Sequence, residues 1–279
     1  MPQTRAPLLL ALLSFALFAS IAFWRAQQPL PAAPPAVQGR VVISAPVLLA
    51  LYGGDRFLAA NLETFRLAAT GMEHGQTDTH YLVRAQQVVA ELNACQEDNY
   101  YLANGLLTWG GAVEEGNEVL RAAVECRFWD EIPPFFYGIN LAFFQHNNEE
   151  AARVLEIGAQ RSSQNAAALR KLAVMLRAEQ FADERLALNY LTQQRDGASD
   201  PKLRDMLDKR VIRLQGLIDL REAQRQFEIE HGPLTDLQEL VTQDILDELP
   251  TDPLRLGYEL RDGSIELKKL KIAGLEERP

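Results

Sequence analysis

Two cysteines, four histidines and several paired carboxylates are the side chains in this chain that could do chemistry. Cys95 and Cys126 are the whole thiol complement and stand too far apart for a CxxC redox or metal motif. His74 and His80 flank Asp78, a donor set a metal ion can use, but they lie in the polar, turn-rich stretch GMEHGQTDTH, where solvated side chains are the simpler reading. His146 and His231 fall in loops or at helix ends. The acidic pairs Glu114-Glu115, Glu149-Glu150 and Asp247-Glu248 sit near turns or helix ends. There Glu114 and Glu149 favour helix N-termini electrostatically rather than forming an acid/base pair. No glycine-rich loop ending in Gly-Lys, no GxSxG and no HExxH is present. The expectation is a chain that is not an enzyme and needs neither cofactor nor metal.

The elements that would position any site come from patterning. Apolar residues make up 47% and charged residues 24% of 279, an ordinary globular balance, while a net charge of −10 argues against nucleic acid as a partner. Leu8 to Trp24 holds no charge and is bracketed by Arg5 and Arg25. At 1.5 Å per residue this is roughly 26 Å of helix, near the lower limit for a membrane span. Residues 1–25 therefore read as a transmembrane signal-anchor with Trp24 at the interface. The competing reading is a cleaved signal peptide with Ser20 and Ala22 before the cut. The anchor implies an inner (cytoplasmic) membrane protein with its body periplasmic or otherwise extracytoplasmic. Residues 26–46, with five prolines and no acid, read as an extended spacer.

Residues 47–200 show apolar spacings of three and four, with turn signals every 12 to 18 positions, which predicts an all-helical region. Segments 97–130, 131–165 and 166–200 superpose. Tyr100, Pro134 and Leu169 recur at 34 and 35 residues, and Gly116, Ala151 and Ala187 at 35 and 36. Ala123 and Gly158 repeat a second small position, as two helices crossing closely require. Residues 54–94 read as one further hairpin, with Asp55 capping a helix through Ala69 and a second helix over Tyr81 to Ala94. This spacing resembles the tetratricopeptide repeat family, including early pairs such as Tyr137-Gly138 and Leu172-Ala173. The family's proline after the second helix is missing. The resemblance implies a mostly α, tetratricopeptide-like solenoid of three to four hairpins. It also implies a concave groove lined by first-helix residues, here Tyr101, Trp109, Phe135, Phe143, Arg170 and Arg177. Such a groove would suit a partner segment with apolar anchors and a carboxylate. In the same frame Cys95 and Cys126 fall at equivalent positions of neighbouring units. Those positions are typically roughly 10 Å apart, whereas a disulfide needs α-carbons within about 7 Å. Either local distortion closes a bridge or both remain buried thiols.

Beyond the repeats, Asp200-Pro201 opens a capping helix over 201–232 that Gly232-Pro233 ends. Residues 233–279 read as a small α+β module. A short helix follows Thr235 or Asp236, Asp252-Pro253 makes a turn, and Tyr258/Leu260 and Ile265/Leu267 alternate around Arg261-Asp262-Gly263-Ser264 as a β-hairpin. This block resembles the ends of type II secretion pseudopilins and type IV pilins. Together these features lead to a membrane-anchored protein-protein interaction scaffold in bacterial envelope assembly (pilus, secretion or polysaccharide export), binding other envelope proteins or peptide segments. A pilin-like self-assembling subunit is the alternative, and an enzyme on a helical solenoid the third reading.

Overall fold

The structure, a computed structural model, describes residues 5–27, 41–69 and 79–268. It is mostly helical, with one two-stranded antiparallel sheet near the C-terminus. The first helix, α1 (Arg5–Ala26), occupies the segment read as an anchor, and here the sequence expectation is corrected. Among the described residues no helix is long and apolar enough to cross a membrane. The transmembrane signal-anchor, the inner-membrane placement and the extracytoplasmic body that depended on it are withdrawn. The spacer expected over 26–46 lies for the most part outside the described residues.

From residue 45 the chain forms antiparallel helices in sequence order. Helix α2 (Ala45–Leu51) leads into α3 (Arg56–Ala69), where the Asp55 carboxylate accepts from the Phe57 and Leu58 amides at 3.0 Å and satisfies two otherwise orphaned donors. Helix α4 (Thr79–Leu92) packs back along α3. Then follow α5 (Glu97–Leu102), continued by a π-helical segment over Ala103–Thr108, and α6 (Val113–Cys126). Helices α7 (Ile132–Gln145) and α8 (Asn148–Arg161) form the next pair, with the Asn147 side chain capping α8. Helices α9 (Ala166–Ala178) and α10 (Glu184–Gly197) form the last, with Asp183 capping α10.

The recurring small residues lie where backbones approach. A Cβ on Gly116 would collide with the Thr108 hydroxyl and stand 3.2 Å from the Thr108 amide, so α6 can cross the π segment only with glycine there. On Gly138 a Cβ would meet Leu155 at 2.8 Å. Ala123 and Ala151 are fully buried for the same reason. Around these crossings Tyr100, Leu120, Leu155 and Leu169 fill the space between successive pairs. The last pair departs from the pattern. Helix α10 packs chiefly along α11 (Pro201–His231) and only lightly on α9.

Asp200 caps α11 through the Lys202 and Leu203 amides, and Pro201 supplies the preset first-turn geometry. After Gly232, at φ 86°, the chain doubles back through α12 (Glu239–Thr242) to strands β1 (Tyr258–Arg261) and β2 (Ser264–Leu267). Leu260 faces Ile265 in the register, and Asp262 and Gly263 take φ of 50° and 78°, both left-handed, as a two-residue I′ turn demands. One face of this unit, with Leu240 and Ile265 fully buried, packs on Leu217, Leu220 and Phe227 of α11.

A buried ion pair fixes the unit to the helix. Arg213 of α11 donates to Asp252 at 3.0 Å, with side chains 8% and 4% exposed. Arg213 also reaches the carbonyls of Gly257 and Lys268 at 3.3 and 2.7 Å. Asp252 accepts from the amides of Leu254, Leu256 and Gly257 at 2.7 to 3.0 Å. Removing one partner would strand the other charge in the interior. Arg213→Met is therefore expected to cost about 3–5 kcal/mol. Arg213→Met with Asp252→Asn is expected to recover part of that loss, both read by urea unfolding.

Candidate functional site

The groove residues expected from sequence divide into two groups in the structure. Three of them are exposed aromatics, Tyr101 (43%) on α5, Trp109 (50%) at the end of its π continuation and Phe143 (54%) on α7. Trp109, just past the π segment, stacks on Phe143 of α7 at 5.4 Å between centroids and meets Phe144 edge-on at 5.0 Å. One step along, Tyr101 meets Phe136 of α7 edge-on at 5.4 Å and stacks on Tyr100 at 4.8 Å. Asn140 sits between these contacts, donating to Asn104 at 3.0 Å and to the Thr108 hydroxyl at 3.3 Å, so α7 is pinned to the π segment by polar as well as ring contacts. Offset and edge-to-face geometries are the favoured ones and add about 0.5–1.5 kcal/mol per pair beyond burial.

Toward the N-terminus the face continues onto α3. A cavity of about 630 Å³ between α3 and α5 is bordered by Phe65, Ala68, Tyr101 and Leu102. Phe65 is 75% exposed, and Leu58 and Leu62 lie on the same helix, also exposed. Sequence reasoning missed Phe65. The signal was the second apolar stripe Leu58, Leu62, Phe65 on a helix whose other face, Ala59, Ala60 and Leu67, already supplies the core.

The remaining expected residues sit elsewhere. Phe135 is half-buried between α7 and α9 and borders a smaller cavity of about 250 Å³ with Leu169 and Leu172. Arg170 lies 3.2 Å from Glu156 and Arg177 3.8 Å from Glu149, so both guanidiniums bridge the α8–α9 seam. Such half-exposed pairs are worth about 0–1 kcal/mol. His74 and Asp78 lie outside the described residues, His146 ends α7 at φ 51°, and His231 rests on Phe227 at 4.9 Å. Among the described residues no three His, Cys, Asp or Glu side chains gather as a metal site.

Behind the aromatic face the turns are tied together. Cys95 and Cys126 form a disulfide with α-carbons 5.3 Å apart. The separation is short because Cys95 lies in the turn after α4, not in the helix, and that turn carries it to the last residue of α6. Arg127, next in the chain, donates to Asp130 at 2.8 Å, to the Cys95 carbonyl at 3.2 Å and to Glu97 at 3.0 Å, and lies over the Tyr100 ring. Arg161 of α8 adds bonds to the carbonyls of Val124, Arg127 and Asp130. Burial alone would push the Asp130 carboxyl up, but the Ile132 amide, Arg127 and the Tyr100 hydroxyl outweigh it and hold it below the usual range. Burial and the neighbouring Asp130 charge push the Tyr100 hydroxyl up, so it stays a donor.

No family model, no curated protein and no solved structure matches this chain.

A bridge spanning 31 residues is worth about 3–4 kcal/mol, so Cys95→Ala with Cys126→Ala is expected to lose that much by urea unfolding. Asp130 has a folded pKa below its unfolded value of about 4. Its stabilisation is present above that pH and disappears as pH falls through the folded value. Asp130→Asn is expected to cost about 1–3 kcal/mol at pH 7, with the gap to the parent chain closing steadily below pH 4.

Proposed function

We propose that this protein is an interaction scaffold. The hairpins α3/α4 to α9/α10 act as a short tetratricopeptide-like array, and the first helices of successive hairpins present a face that takes an apolar-anchored segment of another protein. The observation that carries this reading is the exposed aromatic series Phe65, Tyr101, Trp109 and Phe143, which crosses three helices. Contiguous exposed apolar surface mostly marks a place where something binds. Large aromatics held by ring contacts are also the side chains that typically dominate interface energies. Because Tyr101, Trp109 and Phe143 already lean on neighbouring rings, a partner would find them ordered, and little side-chain entropy would be lost on binding. Arg170 and Arg177 have carboxylate partners within the chain, so the anchors are assigned to the aromatics and not to an arginine-bound carboxylate.

The test is site-specific photocrosslinking from Tyr101 and Phe143 in the full chain, with a probe at exposed Ile212 of α11 as the control. A small set of proteins captured from the first two positions and not from the third is the expected result. Trp109→Ala with Phe143→Ala should weaken their binding by about 30-fold or more while helical circular dichroism is unchanged. Equal capture from Ile212, or partners that survive the double variant, would overturn the reading. Capture of further copies of this chain alone would replace it with self-assembly.

A further inference from the structure

Where α10 packs only lightly on α9, a cavity of about 660 Å³ opens among the described residues, bordered by α11 and the C-terminal unit. That volume lies within the usual range of small-molecule sites. Its walls are mainly aliphatic: Leu191 of α10, Leu214 of α11, and Leu254 and Leu256 of the C-terminal unit. Its charged groups are mostly basic. Arg213 is matched by Asp252, but Arg210, one turn earlier on α11, is half-buried on the lining with no ion pair or hydrogen bond among the described residues. Lys171, one turn before the lining residue Met175 on α9, is half-buried in the same condition and close enough to feel the Arg210 charge. Lys268 adds a third cation at the exposed edge, against one exposed acid, Glu179. Burial, with Arg213 adding to it and the more distant Asp252 only partly opposing it, lowers the affinity of Arg210 for its proton, and burial does the same to Lys171.

A half-buried guanidinium with no carboxylate in direct contact is costly, and an apolar chamber beside it gains by taking up hydrocarbon. We infer that this cavity binds an aliphatic monocarboxylate. Its chain would lie along Leu191, Leu214, Leu254 and Leu256, and its carboxylate would lie in the fork of Arg210 with Lys171 beside it. A planar carboxylate matches the guanidinium through two parallel hydrogen bonds. This inference is independent of the aromatic face.

The experiment is calorimetric titration of the full chain with decanoate, decan-1-ol and acetate. A diazirine-bearing decanoate, followed by peptide mass spectrometry, locates the site. Decanoate should bind, decan-1-ol at least ten-fold more weakly, and acetate not measurably, with the label on peptides from α11 or residues 254–256. Arg210→Gln and, separately, Lys171→Gln should each weaken decanoate at least five-fold, while Lys209→Gln, altering an exposed lysine already paired with Asp205, should not. Absence of decanoate binding, equal affinity for the alcohol, label elsewhere, or full affinity in both Arg210→Gln and Lys171→Gln would overturn the proposal. Should one variant not fold, the other decides.

Discussion

The turn after α6 is where the helical pairs are held in a fixed relation to one another. Arg127 binds the carbonyl preceding α5, a carboxylate in the first turn of α5 and the aspartate that opens α7, and beside it Cys126 is joined covalently to the turn after α4. Arg161 reaches the same turn from α8. Helices meeting only through aliphatic side chains can slide with little change in buried area. Directional bonds to backbone carbonyls cannot be kept during such a slide, so they set the offset between neighbours. The positions of Tyr101 and of the α7 aromatics follow from that offset.

The C-terminal unit is tied down by the same kind of chemistry. Arg213 and Asp252 would each be a liability if buried alone, and together they organise five backbone groups of an otherwise small unit. Gly216 allows the approach, since a Cβ there would meet Pro250 at 3.0 Å and run into the Tyr258 hydroxyl. In both places arginine meets aspartate where the local chain makes a turn. Turns expose the unpaired amides and carbonyls that the side chains then satisfy.

Where one local signal decides an element, the sequence was readable. Asp55, Asp200 and Pro201 place helix starts, Gly232-Pro233 stops α11, and Asp262-Gly263 makes the hairpin. Gly116 and Ala151 do lie where α6 meets the π segment and α8 meets α7, but the equivalent position Ala187 did not foretell its helix's partner, since α10 packs chiefly along α11. What depends on three-dimensional closure was not readable. The pairing of Arg170 and Arg177 with α8 glutamates requires knowing which way α9 leans, and the exposure of Phe65 requires knowing which of two apolar stripes the core uses. The distance between the cysteines turned on whether Cys95 lies in a helix or one turn beyond it. The apolar N-terminal run illustrates the opposite failure, because composition over a window suggested a membrane span that the described helices do not contain.

The π-helical segment Ala103–Thr108 bears on where the aromatic face points. Eight residues of α-helix turn through about 800°, which would leave Trp109 about 80° around the axis from Tyr101. A π turn takes more residues per revolution and so rotates less at each one, giving back part of that angle. In effect the segment works as a phase adjuster within a single helix. Tyr101 and Trp109 are brought toward one meridian, each opposite an aromatic of α7, although their spacing in the sequence belongs to neither helical period.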